Sequence, residues 1–348
     1  MKNIAPSDPS LRYTGRMDFT NSDAPTLINA GSSIHARFSG TSVGFRAINH
    51  HNYFENSMGF LVDGIEGKAV LRNDSEPHDY PIASGLADGT HELILWKRSD
   101  GGLSYADFLG LLVDDGAKVT SAGERPTRRI ECFGDSVSAG EVAEALAWTG
   151  KKDPELHDGK WSNSWHSYVF QTARALGAEV HNNSQGGIAV LAGSGFFENG
   201  AVGLESTWDK LRYTPTLGKI TKWDFSSWTP HVVIMALGQN DKHPEDYIDT
   251  DPKRRRHWQN SYAAIIRALR GKYPKALFVI ITTLLEHPKE WDIAIDEMTE
   301  SLADPKVVRF KFTRNGTGTP GHLRIGEHAE MAYELTGFLR GFGDSIWE

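Results

Sequence analysis

Cysteine is almost missing from this chain: Cys132 is the only one among 348 residues. No intrachain disulfide can form, so the fold does not depend on an oxidising compartment. Cys132 sits in an apolar run, where a lone cysteine behaves as a small buried hydrophobe rather than a catalytic thiol. Long hydrophobic runs are missing too; no stretch approaches the roughly 18 apolar residues needed to span a bilayer, which excludes a membrane helix. The opening residues Met1-Lys2-Asn3-Ile4-Ala5-Pro6 lack the apolar centre of a signal peptide. As numbered, the chain is expected to be cytoplasmic, or secreted if a leader was removed ahead of Met1. Basic excess is absent as well. With 37 Lys and Arg against 45 Asp and Glu, the formal charge is −8, which argues against a nucleic-acid partner. The one basic run, Lys253-Arg254-Arg255-Arg256, opens a predicted helix and reads as a solvated turn. None of the 14 histidines is spaced with carboxylates as metal ligands are, His243 and Glu245 included, so neither metal nor cofactor is predicted.

What is present is a soluble composition, 39% hydrophobic and 24% charged, and two halves with different rhythms. Up to about residue 125 the apolar residues alternate in short runs broken by Gly, Asp and Asn. Ser33-Ile34-His35-Ala36-Arg37-Phe38, Gly59-Phe60-Leu61-Val62, His91-Glu92-Leu93-Ile94-Leu95-Trp96 and Phe108-Leu109-Gly110-Leu111-Leu112-Val113 are of strand length. Such spacing predicts an all-β sandwich of jelly-roll type over 1–125. From 126 to 348, strands alternate with helices. Strands are predicted at 129–133, 178–184, 231–237, 276–283 and 306–312. Helices follow from the apolar faces Trp258, Tyr262, Ile265, Ile266, Leu269 and Trp291, Ile295, Met298, Leu302, with a last helix over 325–340. This pattern predicts a three-layer α/β domain with a mostly parallel five-stranded sheet. The division is placed at Ser121-Ala122-Gly123-Glu124-Arg125-Pro126, which has linker composition.

Ligands in such sheets bind at the carboxyl ends of strands, and four candidate blocks fall just there. Gly134-Asp135-Ser136 follows the first strand and presents a hydroxyl at a helix start beside backbone N–H groups. That setting suits a nucleophile whose oxyanion forms next to those donors; the same residues also make an ordinary helix cap. Ser184-Gln185-Gly186-Gly187 follows the second strand, with Gly186 a candidate oxyanion donor and Gly187 the alternative if the block is shifted by one. Gly238-Gln239-Asn240-Asp241 follows the third, with the Asn240 side chain a further donor. Gly321-His322 precedes the last helix, where a histidine can reach the serine and act as its base.

In the order Ser136, Gly186, Asn240, His322, these blocks resemble the SGNH (GDSL) hydrolase superfamily, with His322 followed by His328 and Met331-Ala332. The resemblance implies a flavodoxin-like catalytic domain, Ser136 and His322 as catalytic residues, and an oxyanion hole of Ser136, Gly186 and Asn240. His328 then reads as a structural helix residue. Asn163-Ser164-Trp165-His166-Ser167-Tyr168 through Ala178-Glu179-Val180-His181, together with Gly15-Arg16, Phe38-Ser39-Gly40-Thr41 and Val62-Asp63-Gly64, resembles more closely the second family of carbohydrate esterases. That likeness implies a serine esterase of acetyl xylan esterase type, removing acetyl groups from plant polysaccharides or oligosaccharides. Two alternatives stay open: a lipase or thioesterase of the same superfamily, and a catalytically weak carbohydrate-binding protein.

The chain departs from the superfamily pattern in one place. Thr319 and Pro320, not an aspartate, precede His322, so a serine–histidine dyad is expected, with a backbone carbonyl holding the imidazole. Glu327 or Asp241 can orient it only if the fold brings either near. Gly321 stands where a bulky aromatic would supply a sugar-stacking face, which leaves Trp148 and above all Trp161 and Trp165 as candidate substrate-binding residues. Oligomeric state has no signature in the sequence.

Overall fold

The computed structural model describes residues 1–156 and 158–348. Its first part is a sandwich of two six-stranded antiparallel sheets. One sheet runs Met17–Asp18, Thr26–Leu27, Ser104–Val113, Val43–His51, His78–Ala83, with Lys2–Ile4 also paired to Ser104–Val113. The other runs Val119–Thr120, Ser33–Gly40, Gly89–Lys97, Ser57–Val62, Ile65–Val70, with Arg12–Thr14 paired to Ser33–Gly40. The alternation seen in the sequence is what fills the space between them. Ile34, Ala36 and Phe38 from one sheet meet Phe45, Phe108 and Leu111 from the other in a common core, while the residues between them face outward.

The second part is a five-stranded parallel sheet in the order Ala178–Asn182, Arg128–Gly134, Val232–Ala236, Leu277–Ile281, Val307–Arg309. Helices cover both faces, and strand residues alternate between two cores. Ile130, Cys132, Ile234 and Val279 pack beneath the helices Tyr168–Leu176 and Ile325–Arg340. Phe133, Val233, Met235 and Phe278 pack beneath Pro252–Lys272 and Lys289–Ser301. Cys132 is fully buried, and burial pushes its thiol up to about 12, so it is inert. The Lys253-to-Arg256 run forms the first turn of Pro252–Lys272, capped by Asp251, which accepts from the Lys253 and Arg254 N–H groups.

The strand order reverses direction between Arg128–Gly134 and its two neighbours, so that the crevice at the switch point opens right after Gly134. Ser136 therefore lies where the topology makes a cleft. Among the described residues, no helix is long and apolar enough to cross a membrane.

The sandwich and the parallel sheet meet through specific contacts. Trp96 of the sandwich stacks on Trp165, with centroids 4.8 Å apart, and its indole N–H donates to Asn163 Oδ1 at 3.2 Å. Arg16 enters the parallel sheet as a buried partner of Glu131, 2.9 Å away, and lies over the Phe133 and Trp223 rings.

Candidate active site

The first strand ends at Gly134, where a glycine is required because a Cβ would meet Ser138 Oγ at 2.3 Å. Asp135 then caps the short helix Ser136–Ala139, accepting from Val137 N–H at 3.0 Å. The Asp135 carboxyl is buried, which pushes its pKa up to about 6 against the opposing pull of the Val137 N–H and His322. This turn leaves the Ser136 hydroxyl at the floor of a cleft of about 650 Å³.

His322 comes from the loop before Ile325–Arg340, and its Nε2 stands 2.7 Å from Ser136 Oγ. The structure corrects the expectation of a dyad. An acid does orient the imidazole: Asp153 Oδ2 lies 2.6 Å from His322 Nδ1, and Asp153 Oδ1 accepts the His322 backbone N–H at 3.0 Å. Buried Arg324 holds the same carboxylate, donating from NH2 at 2.9 Å. Burial alone would raise the Asp153 pKa, but the hydrogen bonds and charges of His322 and Arg324 outweigh it and hold the carboxyl well below the usual range. Asp153 lies in the irregular loop after Ser136, far from the position before the histidine.

Gly321 is explained by the same loop. A Cβ on it would sit 2.7 Å from the Lys151 carbonyl oxygen and 2.8 Å from Asp153 N, so the absent side chain makes room for the acid, not for sugar. Glu327 does not touch the catalytic imidazole; it accepts from Arg324 N–H and Gly150 N–H and so braces both ends of the acid's support. Asp241 is likewise engaged elsewhere, accepting from Val190 N–H and Trp258 Nε1. Burial pushes its pKa up to about 7. His328 is fully buried and accepts the Tyr168 N–H at 3.2 Å, with burial driving its pKa down to about 3.

The groups read as oxyanion donors differ in what their N–H groups already bond. Ser136 N–H has no acceptor among the described residues. Asn240 lines the cleft and spends one side-chain N–H on the Ile188 carbonyl, 3.0 Å away, leaving the other. Gly186 lines the cleft too, but its N–H donates to Asp100 Oδ2 at 3.2 Å rather than facing the serine. Gly187, in the left-handed region at φ +72°, has an N–H with no acceptor among the described residues.

Trp161 and Trp165 do not line the cleft. Trp165 is spent on the joint with Trp96 and beneath the Arg174 guanidinium, 4.3 Å from its centroid, while Trp161 packs towards Trp148. The aromatic surface comes instead from Tyr53, Phe54 and Phe196, which line the cleft and are 37%, 46% and 57% exposed. Two of these belong to the sandwich, so that module builds one wall of the cleft. It also contributes Asp100, held by Gly102 N–H, Gln185 Nε2 and Gly186 N–H. Glu141 lies against it: Glu141 Oε2 is 3.7 Å from His322 Nε2, and its side chain hydrogen-bonds to Asp100. None of these sandwich groups carries a sequence motif; they are brought in by tertiary packing.

Among the described residues, one trio could hold a metal, Glu66, Glu144 and His166. It lies at the joint between the two parts, and Asn163 Nδ2 already donates to both carboxylates at 2.8 Å while Arg98 pairs with Glu144.

A serine, an imidazole and a carboxylate in sequence, open to a cleft at the switch point of a parallel sheet, define a serine hydrolase of the acyl-transferring, ester-cleaving class. The chain belongs to the GDSL-like Lipase/Acylhydrolase family, which it matches over residues 132–306, and residues 13–122 match the Carbohydrate esterase 2 N-terminal family. The first agrees with the resemblance read from the four blocks, and the second with the likeness to the second family of carbohydrate esterases read from the other segments. The chain is 29% identical over 96% of its length to the cellulase/esterase CelE of Acetivibrio thermocellus, and spans 39% of that protein. It is 24% identical over 98% of its length to an acetylxylan esterase / glucomannan deacetylase of Cellvibrio japonicus, covering 91% of it. Among solved structures, a family two carbohydrate esterase from Clostridium thermocellum in complex with cellohexaose superposes with a TM-score of 0.81 at 27% identity, covering 96% of this chain and 99% of that one. A family two carbohydrate esterase from Cellvibrio japonicus has the same fold, at TM-score 0.79 and 23% identity over 99% and 98% of the two chains.

Proposed function

We propose that this chain is a serine esterase that removes O-acetyl groups from plant polysaccharides or their oligosaccharides through an acetyl-serine intermediate. The observation that carries the reading is the relay Ser136 Oγ, His322, Asp153, with contacts of 2.7 and 2.6 Å, at the floor of a cleft rimmed by exposed aromatic rings. Such rings suit the apolar faces of sugars, and the similarity to carbohydrate esterases points the same way.

In this mechanism His322 Nε2 takes the Ser136 proton as the oxygen attacks the acetyl carbonyl. Asp153 keeps the proton on Nδ1, so that Nε2 acts as the base, and stabilises the imidazolium that forms. Ser136 N–H, Asn240 and Gly187 N–H receive the oxyanion. Collapse passes the proton from Nε2 to the sugar oxygen, and water activated by the same imidazole then hydrolyses the acetyl-serine.

The test is acetate release from acetylated xylan, acetylated glucomannan and their oligosaccharides by wild type and Ser136→Ala. Wild type is expected to release acetate, and the variant to be slower by about 10⁴-fold or more at an unchanged melting temperature. Parental rates in a folded Ser136→Ala would remove the serine from its role. A preference for long acyl chains over acetate would move the enzyme to lipase or thioesterase chemistry.

A further inference from the structure

The acid of the relay comes to its histidine from 169 residues away along the chain, out of a loop in which neither helix nor strand surrounds it. Asp153 is also partly open to solvent, its side chain 21% exposed. A carboxylate so placed has several rotamers to choose from and water to bond with, yet it orients an imidazole only while one oxygen stays on Nδ1. The residue placed to restrain it is Arg324.

Arg324 follows His322 by two residues and is fully buried, and its guanidinium spreads over three partners. Nε donates to the Ala145 carbonyl at 3.0 Å, one terminal nitrogen folds back on the His322 carbonyl, and the other donates to Asp153 Oδ1 at 2.9 Å. Those acceptors belong to the segment after the nucleophile's helix, the histidine loop and the acid loop, so one rigid planar fork ties all three together. The Arg324 backbone is held in turn. Glu327 Oε2 accepts its N–H at 2.8 Å, and the next N–H, of Ile325, donates to the Ala143 carbonyl at 3.0 Å.

These contacts divide the Asp153 oxygens. Oδ1 takes two donors, the Arg324 guanidinium and the His322 backbone N–H at 3.0 Å, which leaves Oδ2 on Nδ1 at 2.6 Å. Charge acts in the same direction. Among the described residues Asp153 is the one carboxylate within ion-pair distance of Arg324, and a buried guanidinium holds its counter-ion because an unpaired charge there is costly.

We propose that Arg324 is a positioning residue for the reaction, its guanidinium fixing the Asp153 carboxylate on His322 Nδ1 so that an acid from a remote loop serves where the chain has none beside the histidine. The inference rests on the relay and the esterase reading given above.

The experiment measures kcat and KM for 4-nitrophenyl acetate, and the melting temperature, in the full chain as wild type, Arg324→Met, Asp153→Asn and the double variant. Arg324→Met is expected to lose about 10- to 100-fold in kcat, as a misplaced group does. KM should change by less than about threefold, because Arg324 does not line the cleft. Since the guanidinium acts through Asp153, the same substitution in Asp153→Asn should cost no more than about twofold further in kcat. The melting temperature should fall when Arg324→Met is made in wild type, and hold or rise when it is made in Asp153→Asn, where it removes a charge that has lost its partner. A merely structural arginine would give equal losses of kcat in both backgrounds, and that result overturns the inference, as does a wild-type kcat in folded Arg324→Met. If Arg324→Met does not fold, Arg324→Lys keeps the charge without the fork. It is expected to lose about tenfold in kcat in wild type and almost nothing further in Asp153→Asn; full activity, or the same loss in both backgrounds, overturns the inference equally. In each of these cases the esterase reading stands. No turnover of the ester by wild type, or parental turnover by Ser136→Ala, brings down the esterase reading and the inference with it.

Discussion

Asp153 shows what a single side chain adds to the site and why the sequence hid it. Ser136, Asn240 and His322 were legible because each follows a strand or precedes a helix, positions that parallel sheets reserve for ligands. Asp153 lies in an irregular loop with no period to mark it, and the carboxylate was sought beside the histidine. The one available trace was Gly321, whose missing side chain leaves space for another segment. Asp153→Asn is expected to lower kcat/KM by about 10²- to 10⁴-fold, since the wrong imidazole tautomer then faces the serine. Because Asp153 is held below the usual carboxylate range, the deficit should stay level between pH 6 and 9; a deficit that appears only at the acidic end would assign Asp153 a different role. The depressed pKa also sets the sign for stability: its contribution is complete above the unfolded value of 3.8 and declines as the pH falls below that.

At the scale of elements, apolar periodicity located the helices well. The helix read over 325–340 is Ile325–Arg340, and Trp258, Tyr262, Ile265, Ile266 and Leu269 all face one core. Strands were drawn too long at their carboxyl ends, as with 178–184 against Ala178–Asn182 and 306–312 against Val307–Arg309. Those apolar or polar extensions are spent otherwise: Ser184 bonds to Asn182 Oδ1 and Phe312 packs into the core after its strand has ended. Loops, not strands, carry the site, and the acid loop and the histidine loop are in direct contact. Gly321→Ala drives a methyl against the backbone of Lys151 and Asp153. We expect a loss of about 1–3 kcal/mol in stability and at least a tenfold loss in kcat, because the acid moves away from the imidazole. Wild-type kinetics in Gly321→Ala, checked alongside its melting temperature, would show that the two loops tolerate separation.

For the molecule as a whole, two rhythms in the sequence announced a sandwich and a parallel α/β sheet, and both are present. How closely they are joined was not legible, since Trp96 with Trp165 and Arg16 with Glu131 are pairings across long stretches of chain that no spacing rule signals. Glu131 is fully buried, and without Arg16 its charge would be uncompensated, at a cost of about 3–5 kcal/mol. The two parts are therefore expected to melt together. Calorimetry at neutral pH should give one transition, and Arg16→Ala should move that single peak down; two separated peaks in wild type would mean that the parts unfold independently.

Asp100 gives this union a further meaning. A residue of the sandwich grips Gln185 and Gly186 within the turn that shapes the reaction centre, so the segment 121–126, although it looks like a seam, is a poor place to splice modules from different parents. A chimera cut there inherits the anchor from one lineage and its socket from another, and the two halves have to descend together to stay in register.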